Sequence, residues 1–212
     1  MEKLNLYTNK FLDRFPGFIF GIIAIVTGLT GDFLAMSLFP GYNIIKDMVS
    51  TLGIGPGAIF FNLGTILSGL IAIPFYIDLG RLVRDDEDND QMLRRTAITC
   101  AIISCITMAL VGIFPAIQNS PIIVLHYFTA LISWITGATY CAIFSLLMLR
   151  IPKFPKSLAY LGLIPGSIIS SYLVLVMIPI AIVIVPIVEW CIVFVITSYI
   201  AIFSLFMMYK KI

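Results

Sequence analysis

The chain has 212 residues, of which 60% are hydrophobic and only 11% are charged, and its mean hydropathy is +1.08. A soluble domain carries roughly 25% charged residues, so the composition excludes a soluble globular protein and indicates an integral membrane protein. The net charge of +2 gives no reason to expect nucleic acid as a partner. Membrane lipids are the expected partners, and no feature of the sequence identifies a protein partner.

Six segments are apolar over the length of about 20 residues that a membrane-spanning helix needs. In chain order they are Pro16–Phe39, Gly57–Gly80, Thr96–Ile117, Pro121–Leu149, Leu158–Ile184 and Ile187–Tyr209. We therefore predict an all-α fold, a polytopic bundle of six transmembrane helices that forms a single domain over residues 1–212. The first segment is too long for a signal peptide and no small-residue cleavage site follows it, so we interpret it as a span.

Basic residues lie on one side of the predicted bundle. Every Lys and Arg except Lys46 falls before the first span, between the second and third, between the fourth and fifth, or after the sixth. Short cytoplasmic connections carry an excess of Lys and Arg. The sequence therefore predicts a multi-pass protein of the cell membrane with cytoplasmic N- and C-termini, and it places the Lys46 loop outside.

The sequence gives no sign of a metal or another cofactor. All four cysteines fall inside predicted spans without zinc-ligand spacing: Cys100, Cys105, Cys141 and Cys191. The acidic connection between the second and third spans alternates Asp86, Asp88 and Asp90. It lacks the glycine and the terminal glutamate of a calcium-binding loop, so we predict neither a metal site nor a cofactor.

The connection between the first two spans, residues 42–57, reads YNIIKDMVSTLGIGPG and mixes charged with apolar residues. Its apolar residues fall on one face of a helix: Ile44, Ile45, Met48, Val49 and Leu52. Asn43 suits the N-cap and Gly53 the position after the C-cap. We predict a short extracytoplasmic amphipathic helix here, which serves either as an interfacial anchor or as a lid over a cavity.

Polar residues of four predicted spans fall in the outer third of the bilayer. They are Asp32, Asn62, His126 and Glu189. Lys46, Asp47 and Ser50 of the connecting loop lie above them in the predicted bundle. An ionisable residue inside a membrane is costly and is by default a candidate for function, so these seven residues are the candidate ligand-binding residues.

Two interpretations of the outer polar residues remain open. In the first, His126 and Asp32 pair and hold the outer half of the bundle together. In the second, they line a pocket in which His126 acts as acid or base, with Asp32 or Glu189 assisting. Ser50 is a conceivable nucleophile that would act together with His126 and Asp32, but no G-x-S-x-G motif surrounds it.

The fourth predicted span carries a continuous face of small and polar residues. The residues of this face are His126, Ala130, Ser133, Gly137 and Tyr140. Polar groups that face lipid are left without hydrogen-bond partners, so we predict that this face points into the bundle.

Two motifs resemble a prokaryotic integral membrane family known as domain of unknown function 998. The first motif joins the loop to the second span, and its residues are Tyr42, Asn43, Lys46, Asp47, Ser50, Leu52, Gly53, Phe61–Gly64, Ser68 and Gly69. The second is Gly112–Pro115 followed by His126. The pattern is also distantly similar to six-helix membrane proteins of the autophagy-modulator and GPI-remodelling type. The resemblance implies six helices and a polar cluster at the outer face that contains Asp47, Ser50, Asn62 and His126.

The function that we predict is the binding or handling of a lipid or another amphiphile in a polar pocket at the outer leaflet. The first alternative is a membrane-embedded hydrolase or transferase, with His126 as general base and Asp32 as its candidate partner. The second alternative is a transporter of small solutes, which would need a polar path to the cytoplasm.

Overall fold

A computed structural model describes residues 10–84, 90–152, 154–178 and 183–210. These residues contain no strand, and their six long helices are each long and apolar enough to cross a membrane. The helices are α1 (Gly17–Ser37), α2 (Ala58–Leu82), α3 (Gln91–Ile113), α4 (Ile122–Arg150), α5 (Lys156–Leu175) and α6 (Val185–Lys210). The predicted all-α fold with six spans is confirmed, while the cell membrane and the cytoplasmic termini stay predictions.

The six helices form a closed ring. Each helix packs against its neighbours in sequence, and α6 returns to pack against α1. Large side chains fill the centre of the ring, among them Phe75, Phe144, Phe203 and Met148. Apolar side chains on the outside stay exposed, as expected where the surroundings are lipid rather than water. The core therefore lies along the axis of the bundle.

Glycines bring α1 and α2 into backbone contact. A methyl group on Gly31 would lie 2.6 Å from the carbonyl oxygen of Phe60 and 2.9 Å from the Cα of Gly64. Lipid offers no hydrophobic drive for helices to associate, so small residues that permit close approach are a principal way to pack them. The contact fixes α1 against the beginning of α2, next to the connection that joins these two helices.

Two helix boundaries differ from those predicted by five residues or more. Helix α5 ends at Leu175 rather than at Ile184, before Pro179, and a residue that precedes proline disfavours helical backbone. Helix α3 begins at Gln91, five residues before the predicted Thr96. The prediction counted only apolar residues, whereas a helix extends beyond the hydrocarbon wherever water and head groups can solvate it.

The amphipathic helix predicted between α1 and α2 is not confirmed. Residues 43–47 form a turn in which the Ile45 N–H donates to the Asn43 side-chain oxygen at 2.9 Å, and the Asn43 N–H donates to the Asp47 carboxylate at 2.8 Å. Side chains of Asn and Asp that bond nearby backbone compete with helix formation. Met48 is then extended, and a 3₁₀ helix follows over Val49–Ile54.

The connection nevertheless buries part of its apolar face. Val49 and Leu52 are buried, while Ile44 and Ile45 stay exposed. We call residues 42–57 the roof segment and the end of the bundle that carries it the roof end. The opposite end, which carries Arg81, Arg84 and Lys210 among other basic residues, is the basic end.

Candidate functional site

Glu189, in the second turn of α6, holds the roof segment. Its carboxylate accepts a hydrogen bond of 2.8 Å from the Val49 N–H, and the N–H and hydroxyl of Ser50 also bond to it. The first N–H groups of a helix have no partner inside the helix. Glu189 supplies that partner for the 3₁₀ helix from a position 140 residues further along the chain. The structure thus brings together two of the predicted site residues, Ser50 and Glu189.

Two aromatic residues that the sequence analysis missed complete this contact. The Trp190 indole N–H donates to the Tyr42 hydroxyl at 3.0 Å, and that hydroxyl donates to the Met48 carbonyl at 2.9 Å. Trp190 also packs with Ala35, Val49, Leu52 and Phe61 in an apolar cluster under the roof segment. Buried Trp and Tyr usually need a partner for their polar atom, which was the available signal.

Three predicted carboxylates act electrostatically on the Tyr42 hydroxyl. Burial raises the pKa of Tyr42, the hydrogen bond from Trp190 opposes that rise, and the negative charges of Glu189, Asp47 and Asp32 add to it. A negative charge disfavours ionisation of a neighbouring hydroxyl. Asp32, Asp47 and Glu189 therefore lie near one another at the roof end, as the sequence analysis expected of the outer polar residues.

Asp32 differs from the other two carboxylates because its side chain has no bonding partner among the described residues. Asp32 is only 8% exposed. No hydrogen bond or ion pair joins its side chain to any residue within the described ranges. Asp47, by contrast, accepts the Asn43 N–H, and Glu189 accepts N–H groups of the roof segment. A mostly buried carboxylate without a partner is costly, so Asp32 is an unmet polar group at this end, as is the Asn62 side-chain oxygen.

Asn62 and Lys46 occupy the edges of the roof segment. The Asn62 amide donates to the Gly53 carbonyl at 3.1 Å and so holds the end of the 3₁₀ helix. The Asn62 side-chain oxygen is buried and has no hydrogen-bond partner among the described residues. Lys46 is exposed in the 43–47 turn. Asn62 thus supports the roof segment from below, and Lys46 marks its outer surface.

His126 lies apart from this cluster, against the end of α3. Its Nδ1 is 2.8 Å from the Phe114 carbonyl oxygen, and since a carbonyl only accepts, this nitrogen carries the proton. Neither Asp32 nor Ser50 forms a hydrogen bond or ion pair with His126 in the described part of the chain. The direct pairing of His126 with Asp32 is therefore not what the structure shows, and the three residues of the conceivable nucleophilic site are not joined.

The inward face predicted for α4 is confirmed. All five of its residues are buried: His126, Ala130, Ser133, Gly137 and Tyr140. The Ser104 hydroxyl donates to the Ser133 carbonyl at 2.9 Å, and the Tyr140 hydroxyl lies 2.7 Å from that of Tyr76. Polar groups on this face thus find partners on neighbouring helices, as the apolar surroundings require.

At the basic end, the sequence analysis missed Asp78. One oxygen of this buried carboxylate accepts the N–H of Gly17 at 2.8 Å, and the other lies 3.1 Å from Arg81. Arg81 also contacts Asp13 at 2.5 Å. The sequence signal was the spacing of Asp78 and Arg81, because residues three apart are neighbours on a helix.

The structure gives no support for a metal site in the ranges it describes. No group of three or more His, Cys, Asp or Glu residues there is arranged to hold a metal ion. Asp86 and Asp88 of the acidic connection lie outside the described residues. The interpretation of that connection stays a prediction.

The six long apolar helices indicate a multi-pass membrane protein. Residues 22–206, which include most of α1 and reach into the last turns of α6, match the family described as "Protein of unknown function (DUF998)". The chain belongs to this family, which confirms the predicted resemblance. No curated protein and no solved structure matches the chain.

The structure explains what the two motifs of the resemblance do in this chain. Tyr42, Asp47, Ser50 and Gly53 take part in hydrogen bonds that fold or hold the roof segment, together with Asn62 below it. In the second motif, Phe114 bonds to the histidine that follows. Both motifs therefore build the roof end of the bundle.

Proposed function

We propose that this membrane protein binds a lipid or another amphiphile at the roof end, with Asp32 as the residue that meets the head group. The supporting observation is that Asp32 is buried and unpartnered among the described residues. Ionisable residues inside a membrane nearly always pair with another group or mark a ligand or ion path. A bound head group would supply the partner that the described residues do not.

The charges around Asp32 favour a particular kind of head group. The negative charges of Asp47, Glu189 and Asp32 all act on the Tyr42 hydroxyl, and Lys46 is the only Lys or Arg in the connections of this end. An ionised carboxylate accepts hydrogen bonds and attracts positive charge. The proposed ligand therefore has a head group that carries an ammonium group, as in phosphatidylethanolamine, rather than one with a net negative charge.

Apolar residues beside Asp32 provide a surface for the hydrocarbon tail. Phe33 and Leu34 follow Asp32 directly in α1, and both are exposed on the outside of the ring. Leu38, one turn further, and Ile45 of the roof segment are exposed as well. A tail that runs along this surface remains in contact with the bilayer while the head group reaches the carboxylate.

The experiment compares lipid binding by the intact protein and by an Asp32→Asn variant. Native mass spectrometry with added phosphatidylethanolamine should show binding roughly tenfold weaker for the variant, since a hydrogen bond to a charged group contributes about 1.5–3 kcal/mol. Asp90→Asn, at the basic end, is the control and should bind like the unaltered chain. The proposal is wrong if Asp32→Asn binds as well as the control.

The two alternatives stay predictions. No hydroxyl or carboxylate of the described residues forms a hydrogen bond with the His126 ring, so a hydrolase or transferase that uses His126 gains no support from the geometry. Transport of a small solute gains none either, because the hydroxyls along α4 bond to neighbouring helices.

A further inference from the structure

A cleft of about 880 Å³ opens at the basic end of the bundle. It lies between the helical residues 10–14, the ends of α2 and α6, the beginning of α1, and the turn that joins α4 to α5. Its apolar lining consists mainly of Leu12, Phe18, Leu82, Phe154, Phe206 and Met208. This cleft is distinct from the roof end, which lies at the opposite end of α1.

Charged side chains occupy one part of the cleft. Arg81, Arg84 and Lys210 line it together with Asp13 and Asp78. Two of these cations are available: the side chains of Arg84 and Lys210 form no hydrogen bond or ion pair with any residue in the described ranges. The lining therefore carries one positive charge more than negative charges, and its unpaired charges are cationic.

Arg81 is held in position between the two carboxylates. Asp78 contacts one terminal nitrogen of the guanidinium and Asp13 the other, while Asp78 is itself fixed by the N–H of Gly17. A guanidinium that is already oriented loses less conformational freedom when it binds a ligand. Arg81 thus presents a fixed charge next to two cations without partners among the described residues.

We propose that this cleft binds an anionic phospholipid. The phosphate lies against Arg84 and Lys210, near Arg81, and the acyl chain lies along the apolar lining. Charge-assisted hydrogen bonds between phosphate and Arg or Lys are among the stronger ones in proteins, and basic pockets between membrane helices suit anionic head groups. A soluble phosphate would use the cations and leave the apolar half of the cleft empty, whereas a lipid uses both halves.

Exposure at the mouth of the cleft supports a ligand that comes from the bilayer. Met208 is 46% exposed on α6, and Phe206 one half-turn earlier is partly exposed. Long basic side chains near helix ends extend toward the membrane interface, where phosphates lie. The apolar and basic parts of the cleft are thus arranged like the tail and the head group of a lipid.

The test uses the full chain, purified in detergent, and native mass spectrometry with phosphatidylglycerol or phosphatidylcholine. The double variant Arg84→Gln with Lys210→Gln should bind phosphatidylglycerol at least about tenfold more weakly, as expected when charged hydrogen bonds are lost. Its binding of phosphatidylcholine should change by less than about twofold, since that lipid depends less on the two cations.

The matched control changes one Arg and one Lys of the same end that do not line the cleft, Arg95→Gln with Lys156→Gln. The control alters the net charge equally, so it should keep its affinity for phosphatidylglycerol within about twofold if the cleft is the site. If the control loses as much affinity as the cleft variant, the attraction belongs to the whole basic surface and the proposal is overturned.

A second comparison distinguishes a lipid from a free phosphate. Lyso-phosphatidylglycerol should bind at least about tenfold more tightly than glycerol 3-phosphate, because burial of each CH₂ group contributes about 0.8 kcal/mol. Met208→Gln should weaken binding of the lyso-lipid and leave glycerol 3-phosphate unaffected. Equal binding of the two ligands would show that the apolar lining contributes nothing, and the lipid proposal would be wrong.

Discussion

The two ends of the bundle use carboxylates in different ways. At the roof end, Glu189 and Asp47 accept hydrogen bonds from backbone N–H groups. At the basic end, Asp13 and Asp78 are paired with the guanidinium of Arg81 beside an open cleft, and Asp78 also accepts the Gly17 N–H. The carboxylates of the roof end therefore fix the path of a loop, whereas those of the basic end also orient a cationic side chain beside a cleft.

Asp32 belongs to neither arrangement, which is why it supports the proposed function. It is buried like Glu189 and lies at the same end, but no described residue is its partner. The comparison shows that burial of an acidic residue is a weak indicator of a ligand site. Burial without a partner is a stronger one.

The largest expected loss of stability comes from removing the carboxylate that holds the roof segment. Glu189→Ala should lower the free energy of unfolding by about 3 kcal/mol, because it removes the acceptor of buried N–H groups at about 1–3 kcal/mol for each group left without one. Glu189→Gln retains an acceptor and should cost about 1 kcal/mol. Denaturant titration of the detergent-solubilised protein measures both changes. Equal losses for the two variants would show that the carboxylate does not act through these bonds.

The next effect tests whether backbone packing contributes to closure of the roof end. Gly31→Ala should destabilise the protein by about 2 kcal/mol, since the added methyl group meets backbone atoms of α2 that cannot move alone. Gly137→Ala is the matched control, because its methyl group would meet no atom closer than 3.6 Å. We expect that control to be neutral or more stable by up to about 1 kcal/mol. A stable Gly31→Ala variant would contradict the described helix contact.

A smaller effect is expected at the basic end. Asp78→Asn should lower the free energy of unfolding by about 1.5 kcal/mol, because it weakens the buried bond to the Gly17 N–H and the contact with Arg81. Asp13→Asn should cost at most about 0.5 kcal/mol, since its side chain is 64% exposed and water screens the ion pair. The same denaturant titration measures both losses. A larger loss for Asp13→Asn would show that Asp13, rather than Asp78, makes the more stabilising contact with Arg81.

The smallest effect concerns Tyr42 and depends on pH. Tyr42→Phe should cost about 1 kcal/mol near neutral pH, because the Met48 carbonyl and the Trp190 N–H lose their partner. The raised pKa of Tyr42 keeps the hydroxyl neutral in the folded state, so its contribution is complete below the ordinary pKa of about 10 and is lost as the pH rises above it. The difference in stability between the two proteins should therefore narrow as the pH rises above about 10. A difference that grows with pH would contradict the raised pKa.

Sequence reasoning succeeded for features that depend on the residues of a single helix. The six spans followed from the lengths of their apolar runs, and the inward face of α4 followed from the spacing of His126, Ser133 and Tyr140. The existence of a polar cluster at one end followed from the cost of Asp32 and Glu189 in a membrane. These inferences need only hydrophobicity and helical period.

Sequence reasoning failed for features that depend on contacts between residues far apart in the chain. The roof segment has the period of an α-helix, but Asn43 and Asp47 bond nearby backbone, and Glu189, 140 residues from Val49, holds the 3₁₀ helix that follows. The pairing of His126 with Asp32, one of two interpretations left open, is not seen, because His126 reaches the nearer end of α3. Asp78 was missed because its importance comes from Gly17 on another helix. No periodicity within one segment contains such information.

The attachment of the roof segment to α6 has a consequence for the order in which the protein is made. A chain that is synthesised from its N-terminus produces the roof segment long before Glu189 and Trp190. Until α6 has entered the membrane beside α1, neither residue is available to hold the first loop. Nascent chains that stop after α5 should therefore expose residues 42–57 to a protease added on that side, and completion of α6 should protect them.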